Sequence, residues 1–223
     1  MAEHDPTIHI CDDWVSVTLP DWDSVIAAQH ALSSSKYWTE IVPGLDSIAV
    51  QFDPAVIWPK DAAKTILDQL ADLRGVTSIS GDTLTIPVCY APEFAPDRDH
   101  IADRLGIATE ALPSWHIMQR HRVAMLGFMP GFAYLDSMDD TPTIGRLDSP
   151  RQLVPAGSIG VIGRQSCIYS FDSPGGWPII GRTPLRLFDP SRKRPALLSA
   201  GQNIHFESIS KDAFDSWQQE PNP

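Results

Sequence analysis

The sequence predicts an α+β protein in two parts: a small α/β sandwich over residues 1–87, then a closed or sandwiched β architecture over residues 88–210, with a polar tail at 211–223. Three observations predict it. Helical spacing of apolar residues recurs through the first 119 of the 223 residues and is gone from His121 onward. Ten of the 14 glycines lie between Gly127 and Gly201, where Pro/Gly turns separate short apolar runs. Charge divides the same way: residues 1–110 hold 6 Lys+Arg against 18 Asp+Glu, and residues 111–223 hold 11 against 10.

Taken in order, alternating and β-branched residues at 8–11 and 14–19 read as strands. Residues 21–33 space Val25, Ala28 and Leu32 as a helix does, and Asp21 and Asp23 suit its first turn. Residues 47–52 are the next strand. The clearest helix covers 59–74, where Ala63, Ile66, Leu67, Leu70 and Leu73 make one apolar stripe. Pro59 is tolerated in its first turn and Gly75 suits a left-handed C-terminal cap. Residues 83–90 supply the last strand of a β-α-β-α-β order. Ala91-Pro92 and Ala95-Pro96 then break the periodicity and mark a boundary. Asp97 is placed to cap a short helix ending at Leu105 and Gly106, and a second helix starts at Thr109 and reaches about Gln119. Beyond it, apolar runs at 123–126, 159–162, 179–180, 185–188 and 204–206 alternate with turns.

Several function classes drop out on composition. A net charge of −11 opposes nucleic-acid binding, since phosphate backbones attract cations. No apolar run approaches the roughly 18 residues of a membrane span, and the acidic start lacks the basic-then-apolar pattern of an export signal. Cys11, Cys89 and Cys167 are too few and too scattered for a disulfide framework or zinc knuckle, so a reducing, cytoplasmic home is expected.

Gly176-Trp-Pro-Ile-Ile-Gly-Arg-Thr183 matches the phosphate-loop spacing with Arg182 in place of lysine. The match fails on physical grounds: Pro178 removes an amide, Ile179 and Ile180 favour extended backbone, and no helix follows. His116 and His121 lack the spacing and companions of a zinc set, which leaves His116 either a site residue or a structural one. Ser166-Cys167 lies in no nucleophile elbow, and Cys167 reads better as a buried filler of a barrel position. More telling are three rigid corners: the Pro130-Gly131 turn between Phe128 and Tyr134, residues 150–158, and Ser173-Pro-Gly-Gly-Trp177. Arg151, Arg164 and Arg182 stand beside them, in a stretch (111–206) with ten Lys+Arg and six acids. Guanidinium groups there suit a carboxylate or phosphate.

These corners carry a resemblance. The run Met125-Leu-Gly-Phe-Met-Pro-Gly-Phe-Ala-Tyr-Leu135, with Pro150-Arg151, Val154-Pro-Ala-Gly-Ser158, Gln165-Ser-Cys-Ile-Tyr169 and Ser173-Pro-Gly-Gly-Trp-Pro-Ile-Ile-Gly-Arg-Thr-Pro184, closely resembles the family of 5-oxoprolinase B subunits (PxpB), also called KipI-like or allophanate hydrolase subunit 1. Pro87-Val-Cys-Tyr90, Asp97 and His116 match its lead-in, with weaker echoes at Val42-Pro43 and Ser47. The sequence departs from the family pattern at Ala133, Ser166-Cys167, Ser170 and Asp172, where the family usually has Pro, Thr-Gly, Pro and Glu.

The resemblance implies a small N-terminal α/β domain followed by a cyclophilin-like β-barrel. It also implies a subunit that acts with A-like and C-like (KipA-like) partners in the ATP-dependent opening of 5-oxo-L-proline to L-glutamate. ATP with Mg would then lie at a site shared with a partner subunit. Within that frame His116 is expected as a proton carrier or hydrogen-bond donor, Gln165 and Ser166 as substrate-orienting groups, and Arg182 with Arg151 as the neutralisers of anionic charge. Tyr134 and Trp177 would wall the pocket, with Gly175 and Gly176 at the substrate. Two alternatives come from the same resemblance: an inhibitor of a histidine kinase, or half of a urea carboxylase-type carboxyltransferase module.

Overall fold

The computed structural model describes residues 7–71, 82–137 and 144–219. The chain divides into two compact units, residues 1–80 and 81–223, each with its own core.

In the first unit β1 (Ile8–Cys11), β2 (Trp14–Thr18), β3 (Trp38–Pro43) and β4 (Ser47–Phe52) form an antiparallel sheet in the order β1-β2-β4-β3. Alternation buries Val15 and Val17 of β2 and Ile48, Val50 and Phe52 of β4 on one face. Helices α1 (Trp22–Ser33) and α2 (Pro59–Ala71) supply Ala28, Leu32, Ala62, Ala63 and Ile66 to the same core. Asp21 caps α1 by accepting the Ser24 N–H at 2.8 Å. Strand β3 escapes the sequence reading because it is an edge: Glu40 and Pro43 interrupt its alternation, as solvent-facing edge strands permit. The Gly75 cap and the last turn of the 59–74 helix lie outside the described residues.

The second unit holds β5 (Thr83–Val88), α3 (Arg98–Leu105), α4 (Leu112–Met118), β6 (His121–Leu126), β7 (Ala133–Ser137), β8 (Arg151–Val154), β9 (Ser158–Ile162), β10 (Gln165–Ile168), β11 (Ser173–Gly175), β12 (Ile179–Arg182), β13 (Asn203–Ser208) and α5 (Lys211–Gln219). Seven strands pair in the order β12-β9-β10-β7-β6-β13-β5, while β8 and β11 make a separate ribbon. Just past β5, Cys89 and Arg182 exchange backbone hydrogen bonds of 2.8 and 3.0 Å. That bridge joins the last strand to the first, so the sheet is a nearly closed barrel, as the glycine-punctuated runs predicted.

The structure corrects four expectations. The strand at 83–90 does not complete the first sheet; it runs parallel to β13 in register Thr83↔Asn203 to Val88↔Ser208 and buries Ile86 and Val88 in the barrel core. Its partner lies about 120 residues on, a pairing that local pattern cannot show. Residues 211–219 are not tail but helix α5, anchored by buried Phe214. Residues 185–188 are no strand, because Pro184 ends β12 and only an isolated Phe188↔Ala196 bridge follows. Asp97 does not cap α3; its side chain makes no capping bond and turns elsewhere.

Candidate functional site

Asp97 turns to the barrel. Its Oδ2 accepts the backbone N–H of Ile179 on β12 at 2.7 Å, and its Oδ1 receives Arg151 Nη2 at 2.6 Å in a charge-assisted bond. One carboxylate, 8% exposed, thus ties α3's start to β8 and β12. Arg182, the last residue of β12, donates through Nε to the Ala156 carbonyl at 2.7 Å, while Asp172 accepts the Ala156 N–H at 2.7 Å. Ala156 is therefore gripped from both sides. Next to it Gly157 holds φ +82°, and a Cβ there would meet the Thr183 carbonyl, so only glycine lets the 155–157 corner fold onto β12.

These two anchorages bring Arg151 and Arg182 to one small cavity of about 70 Å³, lined also by Glu93, Phe94, Val154, Pro155, Ser158 and Ile179. Arg182 is half-buried, and burial draws its guanidinium below the ordinary arginine value while nearby Asp172 works the other way. Its terminal nitrogens make no hydrogen bond or ion pair with the described residues.

The other sequence-predicted residues do not line this cavity. Trp177 and Tyr134 lie 6.1 Å apart in an aromatic cluster with Phe132 and Tyr169; Trp177 is buried and packs on Gly160. Gly175 faces Arg151 across the β8/β11 ribbon, and a side chain at Gly175 would strike the Tyr169 hydroxyl. Gly176 packs near Pro150 and its carbonyl receives the Leu147 N–H. Gln165 sits opposite Asp136, half-exposed on β10. Ser166 is sealed and donates to the Gly160 carbonyl at 3.0 Å. Cys167 is wholly buried, and burial pushes its thiol far above the ordinary value, so it offers no thiolate nucleophile. Arg164 turns to Asp136 and the Ser137 carbonyl.

His116 is fully buried on α4, stacked on Phe206 at 4.4 Å, with Nδ1 2.8 Å from the Tyr90 hydroxyl. Burial first, and the charge of His121 second, hold it well below the usual imidazole value. Among the described residues no three His, Cys, Asp or Glu side chains gather to hold a metal ion, and no helix is long and apolar enough to cross a membrane. The phosphate-loop look-alike runs into strand β12. At about 70 Å³ the arginine cavity is far below the roughly 300 Å³ of drug-sized ligand sites, so that cavity by itself does not fit ATP.

Asp97, Ser158, Phe94 and the α5 side chain Phe214 were missed as parts of this site. Ser158 lay in a rigid corner and Asp97 in the family lead-in, but an Asp before a helix reads as a cap and a Ser after a Pro-Ala-Gly corner as part of the turn; Phe94 and Phe214 carried no signal.

Comparison with known proteins places this architecture. Residues 11–198 match the family of carboxyltransferase domains, subdomain C and D. The chain is 34% identical over 193 residues to the 5-oxoprolinase B subunit of Bacillus subtilis, covering 82% of this chain and 80% of that one. The crystal structure of TTHA0988 superposes with a TM-score of 0.75 at 25% identity over 97% of this chain, which spans only 41% of that longer chain. The Kluyveromyces lactis urea carboxylase has a TM-score of 0.75 at 16% identity, covering 97% of this chain and 23% of the enzyme, a likeness of fold alone. The chain, with its barrel, its arginine corner and its glycine-rich loops, belongs to the carboxyltransferase-domain family, subdomain C and D.

Proposed function

We propose that this chain is the B subunit of an ATP-dependent 5-oxoprolinase complex, inactive alone, that opens 5-oxo-L-proline to L-glutamate with A-like and C-like subunits. The observation that carries the reading is the gathering of Arg151 and Arg182 at one cavity, in a chain similar over most of its length to a protein named as the B subunit of 5-oxoprolinase. In the net reaction water adds to the lactam carbonyl carbon, the ring C–N bond breaks, and the nitrogen takes up a proton. This chain's contribution is to bind and orient: two guanidinium groups hold anionic charge at a cavity that Phe94, Pro96, Val154, Pro155 and Ile179 also line. ATP with magnesium belongs, in this reading, at a site completed by a partner subunit. His116, sealed from solvent, acts as a positioning residue that holds Tyr90, whose ring packs near Gly181 of β12.

The test is reconstitution. Purified chain mixed with its A-like and C-like partners is expected to release glutamate from 5-oxoproline only with ATP and only with all three proteins present. Absence of glutamate from a fully assembled mixture overturns the proposal. The family's fold also suits a carboxyltransferase module. That reading requires a biotin carrier, so glutamate release that persists in excess avidin separates the two.

A further inference from the structure

We propose that the Arg151–Arg182 cavity is a subsite for one small carboxylate, the ring carboxylate of 5-oxo-L-proline, and rejects a phosphate chain. This rests on the 5-oxoprolinase reading for the identity of the ligand but not for its charge or size.

The donors come first. Arg151 gives Nη2 to Asp97, while its Nη1 is buried without a hydrogen-bond partner among the described residues. A buried guanidinium N–H left unmade is costly, and structures retain few such groups. Arg182 has Nε fixed by Ala156 and its terminal nitrogens unengaged, and Ser158 adds a hydroxyl to the lining. A planar carboxylate with two acceptor oxygens suits guanidinium donors of this kind.

The acids select against more charge. Asp97 already offsets Arg151, Glu93 lies in the lining with Lys211 3.9 Å away, and Asp172 acts on Arg182. One extra negative charge is accommodated, whereas three or four would face these carboxylates at close range in a partly buried site. Size agrees, because about 70 Å³ admits the carboxylate end of a molecule while Phe94, Pro96 and Pro155 offer an apolar rim to its ring.

The test uses the reconstituted complex and, separately, the full chain. In the complex, Arg182→Ala is expected to raise KM for 5-oxo-L-proline at least about tenfold while KM for ATP stays within about twofold. The wild type should prefer 5-oxo-L-proline over its neutral carboxamide, and the alanine variant should lose that preference. Arg182→Lys, which keeps the charge, is expected to recover part of it, which excludes general misfolding as the cause. A rise in KM for ATP instead, or no change in either constant, overturns the proposal. With the full chain alone, titration of 5-oxo-L-proline should shift the NMR signals of Ser158 and the Arg182 side chain. Those shifts with an inactive complex would sink the oxoprolinase reading and keep the subsite. An active complex with neither shifts nor a KM change would sink the subsite and keep the reading.

Discussion

Both ring nitrogens of His116 lie out of water, and only Nδ1 has a hydrogen-bond partner among the described residues, the Tyr90 hydroxyl. Phe206 covers one ring face and His121 lies 5.1 Å away. A charged imidazole there would lose its hydration and face a second histidine, so the neutral form is favoured and the folded-state pKa is depressed. The sign follows from linkage. The unfolded chain takes up a proton near pH 6.5, which the folded chain resists. Stability is therefore fully present above about pH 6.5 and falls as the solution is acidified, by up to about 1.4 kcal/mol per pH unit. In His116→Gln the side chain can still bond Tyr90 but cannot titrate. Urea unfolding at pH 7.0 and 5.5 should show a larger loss in the wild type than in this variant; equal losses would mean the buried ring accepts its proton freely. The sequence left His116 either a site residue or a structural one. It could not show that Tyr90 and Phe206, 26 residues before and 90 after, enclose it. Asp97 illustrates the converse, since its local context advertised a cap and a long-range partner, Arg151, took its carboxylate instead.

At the scale of elements, legibility tracked how many side chains announce a face. Helix α2 was plain because its apolar stripe repeats turn after turn, and β6, β9, β12 and β13 were plain because turns isolate their apolar runs, whereas β7 and β10 carry no such run and β5 was read into the wrong sheet. Strand β3 was hidden by edge polarity, and α5 by leaning on one fully buried residue within Lys-Asp-Ala-Phe-Asp-Ser-Trp. That residue, Phe214, lies 4.4 Å ring to ring from Phe94 and carries the Arg182 guanidinium 5.9 Å from its centroid. Since Phe94 and Arg182 both line the cavity, α5 braces the site from behind. The arginines themselves were legible from their place beside Pro/Gly corners; the brace was not. Phe214→Ala should cost about 3–5 kcal/mol, the usual range for emptying a buried aromatic position, and lower Tm by roughly 6–20 °C. Phe214→Leu should cost less than half of that. An alanine variant that melts with the wild type would show α5 to be peripheral.

For the whole molecule, the decisive strand is β5. It lies beside the first unit in sequence, yet its six residues pair with β13, its Ile86 and Val88 fill the barrel core, and the adjoining Cys89 closes the barrel against Arg182. A barrel without it would expose both the open side of β13 and an apolar interior. The second unit has a hydrophobic core of its own, which is what a domain needs to fold by itself. A fragment of residues 81–223 is expected to unfold in one cooperative transition with native-like near-UV circular dichroism. One of residues 91–223, which begins just after β5 and its closing bridge, should lack that signal and bind hydrophobic dyes. If the shorter fragment folds equally well, β5 is dispensable to the barrel. If the longer one fails, the barrel depends on the first 80 residues, and the division at residue 80 does not mark an autonomous unit.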